Sequence, residues 1–244
     1  MPNPAGHRRI LVVLGMLVHL YTASGLVTAL LAINWIIEDQ FRLAFLAMFV
    51  AVIVDATDGT LARAVDVWRV TPWVNGRKLD DIVDYLNYTF VPILMVWQAD
   101  WLPEPTWLWL GIPLIASAFA FVHEGAKEDD RGFFRGFPSY WNVVVFYAAT
   151  LITPNTQWLM LPILLGLSVL SVAPIRFVYP NRPPCWIWFF LGGAAIWGVI
   201  LLVMLVLYPN IPRWLTAISL VYPVAYTLSS FFLDWADRTH RIRR

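Results

Sequence analysis

From Ile10 to Ile36 the chain runs without a single Asp, Glu, Lys or Arg. A helix needs about 20 apolar residues to cross the hydrocarbon layer of a membrane, so this stretch is a full crossing by itself. Apolar runs recur at about residues 41–63, 79–97, 107–122, 140–154, 158–173, 186–207 and 214–233. Lipid offers no partner to backbone N–H and C=O groups, so such segments must be helices that pair those groups internally. The expectation is an all-α fold: a polytopic membrane helix bundle of about eight transmembrane helices. Composition agrees, since 59% of the 244 residues are apolar and 14% charged, too few charges for a soluble domain. Ala23-Ser24-Gly25 resembles a signal-peptide cleavage site, but the apolar run continues past it, so the first helix is read as retained.

Charge sets the orientation. With both termini in the cytoplasm, 15 of the 17 Lys and Arg residues fall on the inner side and only Arg42 and Arg213 on the outer. That bias follows the positive-inside rule. The inner loops, and the aspartates beside them, are therefore expected to face the cytoplasm. A net charge of +1 leaves no basic face for nucleic acid. One cysteine, Cys185, cannot form an internal disulfide. Many of the 14 tryptophans stand at the ends of apolar runs, as interface anchors do.

Carboxylates interrupt the apolar pattern where the second and third runs meet the inner surface. Asp55, Asp58, Gly59, Ala62 and Arg63 follow helical offsets of three and four, so one face presents two carboxylates, two small residues and a guanidinium. Asp80 and Asp84 are again four apart, while Asp81 points about 100° away. If the two helices are antiparallel neighbours, the four carboxylates converge beside the headgroup layer. Such charges repel unless cations join them, and an all-oxygen donor set suits hard divalent ions. The absence of bulk at Gly59 and Ala62 leaves room for a nucleotide against the backbone, with Arg63 available to a phosphate. His19 and Thr22 lie one turn apart at a similar depth on the first helix, where they either pack between helices or meet the nucleotide or metal.

The string DxxDGxxAR, a spacer and GxxxDxxxD, here Asp55, Asp58, Gly59, Ala62, Arg63, Gly76, Asp80 and Asp84, resembles the signature of the CDP-alcohol phosphotransferases. The spacer 64–75 is about one helical turn longer than the commonest family form. With VDATDGTLAR, RKLDDIVDYLNY and GFPSYWNVV, it is similar to the bacterial branch that joins free choline to CDP-diacylglycerol. The resemblance implies transfer of the phosphatidyl group to choline with release of CMP, two Mn²⁺ or Mg²⁺ ions held by Asp55, Asp58, Asp80 and Asp84, and Asp84 as general base. It also implies a homodimer. Residues 1–178 would form the six-helix family core, and 179–244 two added helices.

Choline has no N–H to donate, so its site needs aromatic faces and a carboxylate. Tyr85, Tyr88, Tyr140, Trp141, Asn142, His123 and Glu124 are the candidates. Arg131, Arg135, Arg176 and Arg182 are candidates for lipid phosphate, against the alternative of solvated inner-side charge. Asp234 and Asp237 read as surface partners of the basic C-terminus. Other readings stay open: another acceptor (serine, inositol or glycerol phosphate), CDP-choline as donor to diacylglycerol, or an ion-coupled transporter.

Overall fold

The structure is a computed structural model that describes residues 4–123, 125, 127–128, 131–179 and 183–239. Glu124 and Arg182 lie outside the described residues. The chain divides into two compact units, Met1–Gln98 and Ala99–Arg244.

The first unit consists of helices α1 (Pro4–Ala23), α2 (Gly25–Ile37), α3 (Phe41–Val65), α4 (Val67–Val70), α5 (Gly76–Asp84) and α6 (Val91–Gln98), with a π-helical turn, Tyr85–Phe90, joining the last two. The run expected as one helix over 10–36 is broken at Ser24, whose N–H still reaches back to the Leu20 and Tyr21 carbonyls. Gly25, the next residue, sits against α5. A Cβ at this position would collide with the Val83 side chain, so only glycine permits this approach. Asn87 completes the junction from the π-helical turn. Its amide donates to the Gly25 carbonyl at 2.9 Å and to Val83 at 3.0 Å, while Thr28 donates to its oxygen at 3.2 Å.

Helix α3 ends at Asp66, which takes up the left-handed conformation (φ 62°). The spacer that follows is anchored, with Val67 and Thr71 buried and Trp68 and Trp73 exposed. Asn75 then caps α5, its side chain accepting from the Lys78 N–H at 3.1 Å.

The second unit comprises α7 (Thr106–Val122), strands β1 (Lys127–Glu128) and β2 (Phe133–Arg135), helices α8 (Trp141–Leu151) and α9 (Met160–Val172), strand β3 (Arg176–Val178), and helices α10 (Ile187–Leu207) and α11 (Arg213–Arg238). The strands form an antiparallel sheet in the order β1-β2-β3, with Phe133 opposite Val178 and Arg135 opposite Arg176. The fold is predominantly helical as expected. The sheet is the departure, because the polar stretch after α7 carries no alternation long enough to announce a strand. Gly136, at φ +85°, lets the chain turn out of β2 against the Ser171 carbonyl.

Strand β3 is stitched to α11. Tyr226 donates to the Val178 carbonyl at 2.8 Å, and the Val178 N–H donates to Ser230 at 3.2 Å. Phe133, Val178, Phe190 and Leu233 close a buried cluster beneath these bonds. Above it Arg176, 6% exposed, donates to Asp234 at 2.5 Å, Asp237 at 2.7 Å and Glu128 at 3.1 Å, and lies 4.7 Å from the Phe133 ring centroid. Burial alone would lower its pKa, but the bonds to the three carboxylates outweigh that and hold it above the ordinary arginine value. Asp234 does pair with Arg238, at the start of the basic C-terminal stretch, but as a buried member of an ion network rather than at the surface. Arg176 itself is occupied by protein carboxylates.

Among the described residues, four helical stretches are long and apolar enough to cross a membrane: Arg8–Ile37, Phe41–Val65, Ile187–Leu207 and Arg213–Arg238. Thr106–Val122, Trp141–Leu151 and Gln157–Val172 are shorter apolar helices. Leu30, Val50, Ile196, Val199 and Val221 point outward from the long ones, a surface that lipid covers at no cost and water does not.

Removing one partner of a buried ion network leaves the others desolvated and uncompensated. Arg176→Ala is expected to cost about 3 kcal/mol, read as a fall in the thermal unfolding midpoint in detergent. An unchanged midpoint would show that the network adds nothing to stability.

Candidate active site

Helix α3 carries Asp55 and Asp58, and α5 carries Asp80 and Asp84. Packing in the first unit brings one carboxylate oxygen each from Asp55, Asp80 and Asp84 within 4.8 Å of one another, all three residues half-buried. Three carboxylates at this spacing repel by about 3 kcal/mol per pair at an effective dielectric near 20. The arrangement therefore calls for positive charge. The donors are all oxygen, come from two rigid helices and stay partly open to solvent, which fits a hard divalent cation and argues against zinc or copper.

Asp58 stands apart from this trio. It is buried, and its Oδ2 accepts a hydrogen bond from the Thr22 hydroxyl at 2.8 Å. The sequence offsets predict four converging carboxylates; the structure gathers three and holds the fourth one turn further along α3 by a bond to α1. Asp55 is fixed in its turn by Tyr88, whose hydroxyl donates to Oδ2 at 2.6 Å. Tyr88 reaches it from the π-helical turn, where the widened helix sets side-chain directions that an α-helical count does not give.

Gly59 and Ala62 leave the α3 surface without bulk beside the carboxylates. Arg63 is exposed and folds back along this surface, Nη2 donating to the Thr60 hydroxyl at 3.0 Å, while Nη1 lies 3.3 Å from where a Gly59 Cβ would stand. Gly76 opens α5 against the His19 ring, where a Cβ would stand 3.0 Å from Cε1. His19 is buried, and its Nε2 shares a 2.9 Å hydrogen bond with the Thr71 hydroxyl, which itself donates to the Val67 carbonyl. His19 thus clasps the spacer to α1, and Thr22 orients Asp58.

Of the choline candidates, Tyr85 is half-buried and adjacent to Asp84, and Tyr88 has its hydroxyl committed to Asp55. The others belong to the second unit. Trp141 is fully buried and its indole N–H donates to Ser117 at 2.9 Å; Asn142 is buried and accepts from the Val143 N–H; Tyr140 is half-buried; His123 is exposed and accepts from the Gly125 N–H. Arg131 and Arg135 are exposed on the β1-β2 hairpin.

Thr71, Asn87, Thr28 and Ser117 support these positions and are missing from the sequence-based set. The signal for Asn87 was present, since an amide inside an apolar run requires a partner. For the rest no local pattern distinguishes them.

Comparison with known proteins agrees with the geometry. The profile of the CDP-alcohol phosphatidyltransferase family matches residues 15–170. A Legionella pneumophila protein named phosphatidylcholine synthase is 34% identical, with 88% of this chain and 86% of that one covered. Proteins of the same name from Borreliella burgdorferi and Pseudomonas aeruginosa are 35% and 36% identical, covering 72% and 68% of this chain and 74% and 68% of theirs. With a matched region that includes every aspartate of the site, the chain belongs to the CDP-alcohol phosphatidyltransferase family.

Proposed function

We propose that this chain transfers the phosphatidyl group of CDP-diacylglycerol to the hydroxyl of free choline and releases CMP, as a CDP-diacylglycerol-choline O-phosphatidyltransferase. The observation that carries the reading is the convergence of Asp55, Asp80 and Asp84 in a chain whose relatives are named phosphatidylcholine synthase. Asp55, Asp80 and Asp84, joined by Asp58, are the residues to hold Mn²⁺ or Mg²⁺, two ions for the full set; bound there, the ions offset charge on the diphosphate and on departing CMP.

The choline oxygen forms a bond to the phosphatidyl phosphorus as the bond from that phosphorus to the CMP oxygen breaks. The hydroxyl must lose its proton as it attacks, and Asp84 accepts it. Asp84 suits this part because it is half-buried at the end of α5, next to the π-helical turn and to Tyr85. Tyr85 offers an aromatic face to the quaternary ammonium. Gly59, Ala62 and Gly76 leave space for the cytidine and diphosphate, and Arg63 meets a phosphate oxygen by exchanging its bond to Thr60. Thr22 and Tyr88 hold Asp58 and Asp55 in place.

The charge bias supports eight crossings with both termini and the aspartates on the cytoplasmic side of the inner membrane, where choline is dissolved and the lipid substrate enters from the inner leaflet. The family match ends at residue 170, which supports reading α10 and α11 as additions to a six-helix core. The family resemblance supports a homodimer.

The direct test is CMP release from CDP-diacylglycerol by purified protein with Mn²⁺, comparing choline, serine, inositol and glycerol 3-phosphate. Release stimulated by choline alone, with phosphatidylcholine formed, is the expected result; stimulation by another acceptor instead would reject the choline assignment. Asp84→Asn is expected to abolish turnover while keeping Mn²⁺-dependent CMP binding, and Asp58→Asn to weaken both; equal loss of binding in the two variants would sink that division. Tyr88→Phe removes the hydroxyl that bonds Asp55, and is expected to weaken Mn²⁺ binding about tenfold or more, measured by the free Mn²⁺ signal in electron paramagnetic resonance.

A further inference from the structure

The second unit contains a cleft of about 410 Å³ bounded by the β1-β2 hairpin, the turn at Pro174 and the last turn of α11. We propose that this cleft binds the phosphodiester of an anionic membrane phospholipid, a site made of none of the elements that carry the aspartates and independent of the reaction assigned to them.

Four arginines line the cleft, but they are not equivalent. Arg176 spends its guanidinium on Asp234, Asp237 and Glu128. Arg238 donates to Asp234 and to the Pro174 carbonyl. These two form the wall. Arg131 is 57% exposed at its side chain and, among the described residues, pairs only with Asp237, at 3.7 Å, a carboxylate already bonded to Arg176 at 2.7 Å. Arg135 is exposed, and among the described residues its guanidinium has no ion-pair partner. Both therefore keep open donors at the cleft, and guanidinium donors match the paired oxygens of a phosphate.

Their placement is set by backbone rather than by a loose loop. Arg135 is paired with Arg176 in the sheet, and the Arg131 N–H closes the hairpin onto Glu128 at 2.9 Å. Three carboxylates, Glu128, Asp237 and the Asp234 that Arg176 and Arg238 share, offset the four arginines, so one positive charge remains in excess. A singly charged phosphodiester suits that balance better than a free phosphate dianion.

Aromatic residues place the cleft at headgroup depth. Phe232 and Trp235, in the last turns of the same α11, are exposed, and Trp186 stacks on Phe232 with ring centroids 6.3 Å apart. Exposed tryptophans beside a helix end mark the level at which lipid headgroups lie. A lipid whose chains lie along this aromatic edge presents its phosphate at the height of Arg131 and Arg135.

The test is native mass spectrometry of the full-length protein in neutral detergent with EDTA, so that the aspartate site takes no part. The probes are phosphatidylglycerol and phosphatidylcholine of the same acyl chains. The wild type is expected to retain phosphatidylglycerol about tenfold more tightly than phosphatidylcholine, and Arg131→Gln/Arg135→Gln to lose that preference. Should the double variant fail to fold, Arg135→Gln alone, at an exposed position, is expected to lose about half of the preference on a logarithmic scale. No preference in the wild type, or the same preference in the variants, overturns the proposal. Displacement of phosphatidylglycerol by millimolar inorganic phosphate would assign the cleft to free phosphate and likewise overturn it.

Discussion

Mutual repulsion of carboxylates is the constraint on which the first unit is built. Holding Asp55, Asp80 and Asp84 within 4.8 Å of one another is unfavourable before any ion or substrate arrives. The surrounding helices must therefore lock α3 and α5 together elsewhere. Helices α1 and α2, on which α3 packs, also hold α5 and its neighbours through uncharged contacts: the glycine approach of Gly25 to Val83, the amide of Asn87 bridging α2 and the π-helical turn, and the His19–Thr71 bond that ties the spacer to α1. Rigidity arranged this way pre-forms a charged site, so that binding need not supply the cost of assembling it.

The second unit solves a related problem in the opposite sense. Its buried charge, Arg176, is surrounded by three carboxylates instead of being left for a ligand. Buried pairs of this kind contribute little net stability but fix one arrangement of β3 against α11. What remains accessible is the guanidinium charge on the hairpin, held in place by the network behind it.

The apolar runs announced the helices, and the three-and-four spacing of Asp55, Asp58, Asp80 and Asp84 announced the functional face, because both signals are local and periodic. Three features lay beyond that reach. Asp58 turns to Thr22, a choice made by a neighbouring helix 36 residues earlier. Strands β2 and β3 pair residues more than 40 apart through three residues each, too short to show alternation. Trp141 and Arg176 have the chemistry of ligand-binding residues, but burial and partners elsewhere in the fold commit them to packing. In each case residue type set what a side chain can do, and long-range contact set what it does.

The π-helical turn at Tyr85–Phe90 divides the helical run from Gly76 to Gln98 into two segments of different phase. A π turn accommodates an extra residue within a helix, so the apolar stripe of α6 need not continue the face on which Asp80 and Asp84 stand. One residue is about 100° of helical rotation. Shortening this segment by a single residue would therefore act as a twist, swinging the aspartate face away from α3 or the apolar face away from its packing. Here chain length, as much as residue identity, is what natural variation must preserve.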